Sequence, residues 1–361
     1  MICNKISLEN IAEKGSSSLM QKDLKLGSGD YPIYGASGLL GYVDFYHQEN
    51  ESIGIVKDGA GVGRVFLLPA KASCIGTMQY IIPKAGVDAH FLFYALENMN
   101  LSRYNTGATI PHIYFRDYKG EKIPEYRLDE QKKIAKTLDK LRGNIEKRKK
   151  QLQKFDDLVK SQFIEMFGVL ETNSKSWAVV PLSEIAEYFN GLTYKPENVT
   201  SDGMIVLRSS NIQDSELDFD DIVRVNCRLK EKLYVKDGDI LMCSRNGSAK
   251  LVGKVAQIGK LPEPATFGAF MMIIRTEYPK YLLTYFKMPV FREQIKVGAT
   301  TTINQITSAM LDKIRLPLPP KSLVEEFSRF VEQTDKSKFR IKQSLEKLEI
   351  CYKALLQKYF G

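Results

Sequence analysis

The chain has 361 residues, 43% of them hydrophobic, and a formal net charge of +9 at pH 7. This hydrophobic fraction suffices for buried cores, which excludes wholesale disorder, and the length allows about two or three domains of ordinary size. A membrane-spanning helix and a signal peptide are not expected, because no segment approaches ~20 consecutive apolar residues and the first residues are not an apolar run.

The first globular part, residues 1–128, has the pattern of a mixed α and β domain. Residues 52–56 and 65–68 have strand composition and flank a glycine-rich turn. A further strand is predicted at residues 78–82, and a helix at residues 89–100. Basic and acidic side chains balance in this part, so its net charge is zero.

A long helix is predicted over residues 129–168, with Asp129 as its N-cap and Gly168 at its end. Apolar residues recur at alternating spacings of four and three, and eight of the ten positions in this series are apolar. Such a seven-residue repeat is typical of a coiled-coil seam. The series is Ile134, Leu138, Leu141, Ile145, Arg148, Leu152, Phe155, Val159, Gln162 and Met166.

The second globular part covers residues 169–320. Strands are predicted at residues 239–243, 253–256 and 270–274, and a helix at residues 281–295. The last segment, residues 321–361, again predicts a long helix, with Ser322 as N-cap. Its seam is Phe327, Val331, Thr334, Lys338, Ile341, Leu345, Leu348, Tyr352, Leu355 and Tyr359.

The second half of the chain repeats the first. From Ile113 and Ile306 onward the two halves align at a constant offset of 193 residues, through to the Phe-Gly that ends each helix. The chain is therefore interpreted as a tandem duplication of a globular part and a helix. Its four segments, 1–128, 129–168, 169–320 and 321–361, carry net charges of 0, +4, +2 and +3.

A coiled-coil seam needs a partner, and the simplest partner for each helix is the other copy. The pair is predicted to be antiparallel, and a helix of roughly 38 residues spans ~57 Å, the length of about 17 base pairs of DNA. The alternative is that each amphipathic helix packs only on its own globular part. The expected fold class is α+β, with two mixed α/β domains separated by two long antiparallel helices and related as a pseudo-twofold tandem repeat.

Motifs for catalysis are missing from the sequence. It contains no GxxxxGK[ST] phosphate loop, no Asn-Pro-Pro-Tyr or Asp-Pro-Pro-Tyr segment and no Pro-Asp dipeptide, and its glycine-rich turn lacks GxGxxG spacing. The five cysteines have no CxxC spacing, and the three histidines (His47, His90, His112) are far apart, so neither a disulfide scaffold nor a metal site is predicted and a reducing cytoplasm is favoured. The sequence indicates a binding protein and not an enzyme.

Several short motifs resemble those of the DNA specificity subunit of type I restriction-modification systems. Leu8-x-x-Ile11-Ala12 and Leu182-x-x-Ile185-Ala186 open the two globular parts, and Tyr34-Gly35-Ala36-Ser37-Gly38 resembles one class of target recognition domain. Glu130-Gln131-x-x-Ile134-Ala135 opens the first helix as in the family, whereas the second helix departs from this pattern at Val324 and Glu325.

The resemblance implies a non-catalytic subunit with defined partners. Each globular part would be a target recognition domain that reads one half of a bipartite, asymmetric double-stranded DNA site. The helices would set the gap between the halves and dock two methyltransferase subunits, and restriction motor-nuclease subunits would join them. S-adenosylmethionine, ATP and magnesium would belong to those partners, with no cofactor or metal on this chain. Two alternatives stay open: a specificity subunit of a system with fused methyltransferase and nuclease, and a coiled-coil adaptor that binds only protein.

Base readout needs polar side chains on loops that can enter a groove of the duplex. The predicted loops are residues 31–38, 57–64, 76–79 and 104–112 in the first part and residues 208–211, 244–250, 266–268 and 298–305 in the second. We favour residues 208–211 and 244–246 for contacts with base edges. The candidates are Tyr34, Ser37, Lys57, Arg64, Thr77, Gln79, Thr109, His112, Arg208, Ser209, Asn211, Ser244, Arg245, Asn246, Lys250, Thr300 and Asn304.

Overall fold

The structure, a computed structural model, describes residues 4–107, 109–295 and 304–361. The chain divides into two compact units, one formed by Met1–Gln151 with Arg340–Gly361 and the other by Leu152–Phe339. Each unit thus contains one globular part together with a stretch of both long helices. Among the helices that the structure describes, none has the length and apolar character to cross a membrane.

The first unit combines short strands with three short helices and the start of a long one. Its central sheet has four antiparallel strands in the order β2-β8-β5-β6, and a three-stranded sheet has the order β4-β3-β7 with β3 and β7 parallel. The strands β1 and β9 pair separately. The elements are β1 (Lys5–Ser7), α1 (Leu8–Ile11), β2 (Ala12–Ser16), β3 (Tyr31–Gly35), β4 (Gly38–Val43), β5 (Ser52–Val56), β6 (Val65–Leu68), β7 (Ser73–Cys74), β8 (Met78–Pro83), α2 (Ala89–Asn98), α3 (Phe115–Tyr118), β9 (Lys122–Pro124) and α4 (Leu128–Phe167).

The second unit contains a larger set of elements, including several two-residue strands. One predicted helix is wrong in extent: residues 281–295 form two helices, because Pro289 cannot donate a helical hydrogen bond and starts a new helix. The elements are β10 (Ala178–Pro181), β11 (Ala186–Asn190), β12 (Val199–Leu207), β13 (Ile212–Gln213), β14 (Glu216–Leu217), β15 (Val223–Val225), β16 (Ile240–Cys243), β17 (Arg245–Asn246), β18 (Val255–Gln257), β19 (Ala265–Phe267), β20 (Met271–Thr276), α5 (Pro279–Lys287), α6 (Pro289–Ile295), β21 (Asn304–Gln305), α7 (Ser308–Leu311), β22 (Arg315–Leu318) and α8 (Lys321–Phe360).

The sheets of the second unit repeat those of the first. A four-stranded antiparallel sheet has the order β11-β20-β16-β18, and a three-stranded sheet has the order β15-β12-β19 with β12 and β19 parallel. The pair β10-β22 takes the place of β1-β9. Strand order and strand direction therefore match element by element, and the predicted α+β tandem repeat is confirmed.

The long helices begin two residues earlier than N-caps at Asp129 and Ser322 require, because an N-cap directly precedes the first helical residue. Because α4 starts at Leu128 and α8 at Lys321, the prediction of Asp129 and Ser322 as N-caps is wrong, and both lie in the first helical turn. In α4 the carboxylate of Glu130 accepts a hydrogen bond from the backbone N–H of Arg127 at 3.1 Å, which satisfies a donor ahead of the first turn. Gly168 ends α4 in the left-handed conformation, with φ of +82°.

The residues of both predicted seams lie on the less exposed faces of their helices. All ten positions of each series are buried or half-buried, including the four polar exceptions, whereas most charged positions between them are exposed. Coiled-coil packing reduces the solvent exposure of side chains at this seven-residue spacing. The polar exceptions are Arg148, Gln162, Thr334 and Lys338.

In the first unit, the beginning of α4 and the end of α8 run antiparallel and share one core with the globular part. Ile134 and Leu138 from α4 lie in the same buried cluster as Leu356 and Phe360 from α8. Farther along α4, Lys149 pairs with Glu349 at 3.1 Å, and Glu349 precedes Leu356 in α8. Residue numbers therefore fall along α8 in the direction in which they rise along α4.

The second unit shows the complementary arrangement, with the end of α4 beside the beginning of α8. Lys338 binds Asp156 at 2.7 Å, and farther along α4 the ring of Phe163 lies 5.4 Å from that of Phe327. The direction is again antiparallel, as predicted. Each globular part therefore folds onto one end of α4 and the opposite end of α8.

Candidate nucleic-acid interface

The glycine-rich turn of the first unit, residues 57–64, is closed by backbone hydrogen bonds. The N–H groups of Lys57 and Asp58 both donate to the carbonyl of Thr77, at 3.0 and 3.2 Å. Gly63 has a φ of +85°, and an added Cβ would lie 2.5 Å from the backbone nitrogen of Ser102, so only glycine fits this position without strain. The turn is a constrained hairpin and not a phosphate loop at a helix start.

The end of a second predicted loop, residues 104–112, lies against this turn together with the next residue. The N–H of Ile113 donates to the carbonyl of Lys57 at 3.0 Å, and the ring of His112 hydrogen-bonds the carboxylate of Asp58. The side chain of Asn105 accepts the N–H of His112 at 2.9 Å and so shapes the loop from within. The candidates Lys57 and His112 are thereby brought together although they are far apart in sequence.

Four further candidates of the first unit are exposed. Arg64 is exposed, and its guanidinium donates to the carbonyl of Ala36 at 3.4 Å, next to the exposed Ser37 in the β3–β4 turn. Thr77 and Thr109 are exposed as well. Tyr34 lies on β3 and not in a loop; it is half-buried, and burial with the nearby Tyr42 raises the pKa of its hydroxyl.

The second unit builds the same arrangement after strand β16. The N–H groups of Ser244 and Arg245 both donate to the carbonyl of Phe270, at 2.9 and 3.1 Å. The N–H of Ile306 donates to the carbonyl of Ser244 at 2.7 Å, and β17 pairs with β21. Gly253 adopts a φ of +80°, like the glycine that ends the turn of the first unit.

These hydrogen bonds define structurally equivalent positions in the two units. The backbone roles of five residues in the first unit are taken by five in the second, and only one of these pairs has the same side chain. One scaffold thus presents two different sets of side chains. The pairs are Lys57 and Ser244, Asp58 and Arg245, Thr77 and Phe270, His112 and Gln305, and Ile113 and Ile306.

The two loops that we favoured in the second unit meet. The amide of Asn246 donates to the hydroxyl of Ser209 at 3.4 Å, and the amide of Asn304 donates to the carbonyl of Gly247 at 3.2 Å. Arg208 is held by the carboxylate of Asp221 at 2.7 Å, with its side chain 33% exposed. The sequence-predicted loops 208–211 and 244–247 and residue 304 therefore form one polar surface.

Arg245 and Lys250 are the exposed cations of this surface. Both residues are exposed, and in the described part of the chain neither has a carboxylate within ion-pair distance. Exposed cations beside amide and hydroxyl groups are the side chains that phosphates and base edges attract.

Three candidates do not present their side chains to solvent, so their prediction as groove contacts is wrong. Gln79 is 1% exposed and its amide donates to the hydroxyl of Tyr118 at 2.6 Å. Asn211 is 1% exposed and donates to the carbonyls of Asp218 and Asp221. Ser244 is 5% exposed beneath its turn. Buried polar groups must be paired: the side-chain amides of Gln79 and Asn211 hold their own parts of the scaffold together, and Ser244 does so through its backbone N–H and carbonyl. Thr300 lies outside the described residues.

Sequence reasoning missed two exposed aromatic side chains at these surfaces. Phe270 is 59% exposed, and the guanidinium of Arg245 lies 5.6 Å from its ring centroid. Tyr114 is 43% exposed, with the ring of His112 at 4.0 Å and the guanidinium of Arg116 at 4.4 Å. The sequence pattern placed Phe270 inside a strand, whereas β20 begins at the next residue. The adjacent Gly268 and Ala269 were the available signal for a turn.

The described residues have no clustered metal ligands, and two of their cysteines are buried. The described residues contain no group of three or more His, Cys, Asp or Glu side chains arranged for a metal ion. Burial raises the pKa of the Cys74 thiol to about 12 and also raises that of Cys243, which keeps both thiols protonated at neutral pH.

Comparison with known proteins identifies the family. The model of the type I restriction modification DNA specificity domain matches the chain twice, over residues 3–154 and 174–350. The specificity subunits of the type I restriction enzymes StySPI from Salmonella potsdam and EcoKI from Escherichia coli K12 are 31% and 30% identical over 195 residues. These alignments cover 50% of this chain and 42% of each relative, so the matched region is less than half the length of those curated relatives.

More extended similarity exists to other proteins. The MjaVIII specificity subunit of Methanocaldococcus jannaschii is 27% identical over 340 residues, which is 83% of this chain and 77% of that protein. Among solved structures, the S subunit of a type I restriction-modification system from M. genitalium superimposes with a TM-score of 0.65 at 18% identity, covering 100% and 97% of the two chains. A chain from a study of complex assembly in the type I R-M system gives a TM-score of 0.53 at 16% identity, covering 99% and 97%. At these identities the structures show a shared fold. Because the family model spans both copies of the repeat, the chain belongs to the type I restriction modification DNA specificity family.

Proposed function

We propose that the chain is the non-catalytic, DNA-reading subunit of a type I restriction-modification complex. Each unit reads one half of a bipartite, asymmetric site in double-stranded DNA. The observation that carries this proposal is the repeated turn scaffold, which places different side chains at four of five equivalent positions in the two units. Two readers with the same backbone and different donors and acceptors select two different base sequences.

The long helices are proposed to fix the gap between the half-sites and to dock two methyltransferase subunits, with restriction motor-nuclease subunits completing the complex. Their seven-residue seams support a rigid spacer. S-adenosylmethionine, ATP and magnesium are then bound by those partners, which matches the lack of catalytic motifs in this sequence. No membrane is proposed as a binding partner of the chain.

The direct test is to express the chain with the methyltransferase subunit encoded beside it and to map methylated bases across the host genome. The expected result is one motif with two unlike specified halves and an unspecified gap. Methylation without sequence preference, or none above that of the methyltransferase alone, overturns the proposal. If the neighbouring gene encodes a fused methyltransferase-nuclease, the same map assigns the chain to that related system.

The competing candidate is a coiled-coil adaptor that binds only protein. It predicts no affinity of the assembled complex for duplex DNA. A DNA-reading subunit predicts binding whose logarithm falls linearly with the logarithm of salt concentration, as phosphate contacts release counterions. Titration of a labelled duplex at several salt concentrations, with and without a specific motif, separates the two.

The spacer role is tested by inserting one heptad after Leu152 in α4, alone or together with one after Leu345 in α8. These two positions are equivalent in the repeat, being 193 residues apart. The single insertion shifts one seam against the other and is expected to abolish methylation. The paired insertion preserves the seven-residue period and is expected to lengthen the gap in the mapped motif or to abolish binding. An unchanged gap after the paired insertion contradicts the spacer role.

A further inference from the structure

Phe270 occupies an unusual place for a large apolar side chain. It is 59% exposed at the turn before β20, although the residues that follow it, Met271 and Met272, are buried at 1% and 0%. Burial of such a ring is favoured by the hydrophobic effect. The fold nevertheless leaves this ring in water beside the polar surface of the second unit.

The fold uses the backbone of Phe270 and not its ring. Its carbonyl accepts the N–H groups of Ser244 and Arg245, which closes the turn after β16. At the equivalent position of the first unit, the backbone carbonyl of Thr77 accepts the corresponding pair of N–H groups, and the side chain of Thr77 is small and polar. An aromatic ring is therefore not needed to build this turn. We infer that the ring has a function in the second unit without a counterpart in the first.

The ring has a cationic neighbour with free hydrogen-bond donors. The guanidinium of Arg245 lies 5.6 Å from the ring centroid, and no carboxylate of the described residues is within ion-pair distance of it. Three other arginines of the same unit are held by carboxylates at 2.7 to 2.8 Å: Arg208, Arg224 and Arg275. Stacking on a ring holds a guanidinium in place while its donors stay available.

We propose that Arg245 and Phe270 together read a guanine and an adjacent thymine in the major groove of the second half-site. The guanidinium is matched to the O6 and N7 acceptors of guanine, and an apolar ring is matched to the C5-methyl group of thymine. This inference rests on the proposed function and adds the base identities that one of its two readers selects. Thr77, the equivalent residue, gives the first unit no aromatic ring at this position.

The experiment starts from the methylation map of the wild-type complex and then uses synthetic duplexes. Each thymine of the specified halves is replaced in turn by deoxyuridine, which deletes only the methyl group. One thymine in one half is expected to show a loss of binding of about fourfold, the effect of uncovering one methyl. The variant Phe270→Ala is expected to show this loss on unmodified DNA and no further loss on the deoxyuridine duplex.

Arg245→Lys keeps the charge and removes the bidentate fork, so discrimination at the neighbouring guanine is expected to fall about tenfold. Phe270→Leu keeps apolar bulk and is expected to retain part of the methyl effect. The other half of the motif is an internal control for folding, since it must stay unchanged in every variant. Val199→Ala, which trims another exposed apolar side chain of the second unit, is the matched control and is expected to leave the motif unchanged.

Three results overturn the inference. The first is a Phe270→Ala complex that binds the unmodified duplex as tightly as the wild type does. The second is a methyl deletion that costs the same in both proteins, which would instead fit a ring wedged between base steps. The third is a wild-type complex with no sequence preference, which removes the proposed function and this inference with it.

Discussion

Truncation of Phe327 in α8 tests whether the long helices are part of the cores of the globular units. Phe327 is 0% exposed, and its ring lies 5.4 Å from that of Phe163 and 5.2 Å from that of Phe167, both on α4. Tyr281 of α5 stacks on Phe163 at 5.2 Å, so the cluster joins both long helices to the globular part. Phe327→Ala leaves a cavity at the centre of this cluster.

The expected cost is about 4 kcal/mol. Truncation of a buried phenylalanine to alanine lowers the free energy of unfolding by about 3–5 kcal/mol. Because Phe327 also loses two aromatic pairs worth about 0.5–1.5 kcal/mol each, we expect a value above the lower limit of this range. For a denaturant slope of about 2–3 kcal/mol per molar urea, the unfolding midpoint falls by about 1.5 M. A change of this size is a large share of the ~5–15 kcal/mol that stabilises a typical domain.

The chain contains a single tryptophan, which makes the assay specific to this region. The indole N–H of Trp177 donates to the carbonyl of Phe167 at 3.1 Å, so its fluorescence reports on the end of α4. Urea unfolding of the full chain, followed by this fluorescence, gives the midpoint. The matched control is Phe339→Ala, a 61% exposed residue of the same helix, expected to change stability by no more than ~0.5 kcal/mol. Equal shifts for Phe327→Ala and Phe339→Ala would refute the role of α8 in this core.

Two further predictions concern the first unit's pH response and the second unit's turn. Burial lowers the pKa of His90, but its hydrogen bond with Asp139 and the charges of Asp139 and Glu51 raise it more, so the net shift is upward from 6.5. The protonated ring thus stabilises the first unit fully below about pH 6.5 and progressively less as the pH rises through the folded pKa. The variant His90→Gln should make the thermal unfolding temperature less dependent on pH across this range. An unaltered pH profile of thermal unfolding would contradict the prediction. Gly253→Ala forces a φ of +80° on alanine and should lower the free energy of unfolding by about 1–2 kcal/mol, measured by thermal unfolding. The control Gly259→Ala, with open space around the added Cβ, should be nearly neutral. Equal destabilisation by the two variants would show that the turn is not constrained.

Much of the fold follows from patterns that are local in sequence. The strands at Ser52–Val56 and Val65–Leu68 lie where composition predicted them, because strand-forming apolar residues and the flanking turn residues are local signals. The seven-residue seams were found for the same reason, since a helix places every third and fourth residue on one face. The duplication was likewise visible as a constant offset.

Side-chain availability at the candidate interface was not visible in the sequence. Gln79, Asn211 and Ser244 have the chemistry of base readers, yet each is buried in the folded chain. For Gln79 the covering group is Tyr118, 39 residues away. Burial depends on such contacts, and no local composition encodes them.

The sequence by itself determined the repeat, the helices and the family, because each leaves a periodic or a motif signal along the chain. Only the tertiary structure decided which turns meet, since the pairing of residues 57–64 with 105–113, and of 244–247 with 304–306, joins segments about 50 residues or more apart. It also separated the backbone role of Phe270 from its exposed ring. Packing between distant segments sets which side chains water and DNA can reach, and that information exists only once the chain is folded.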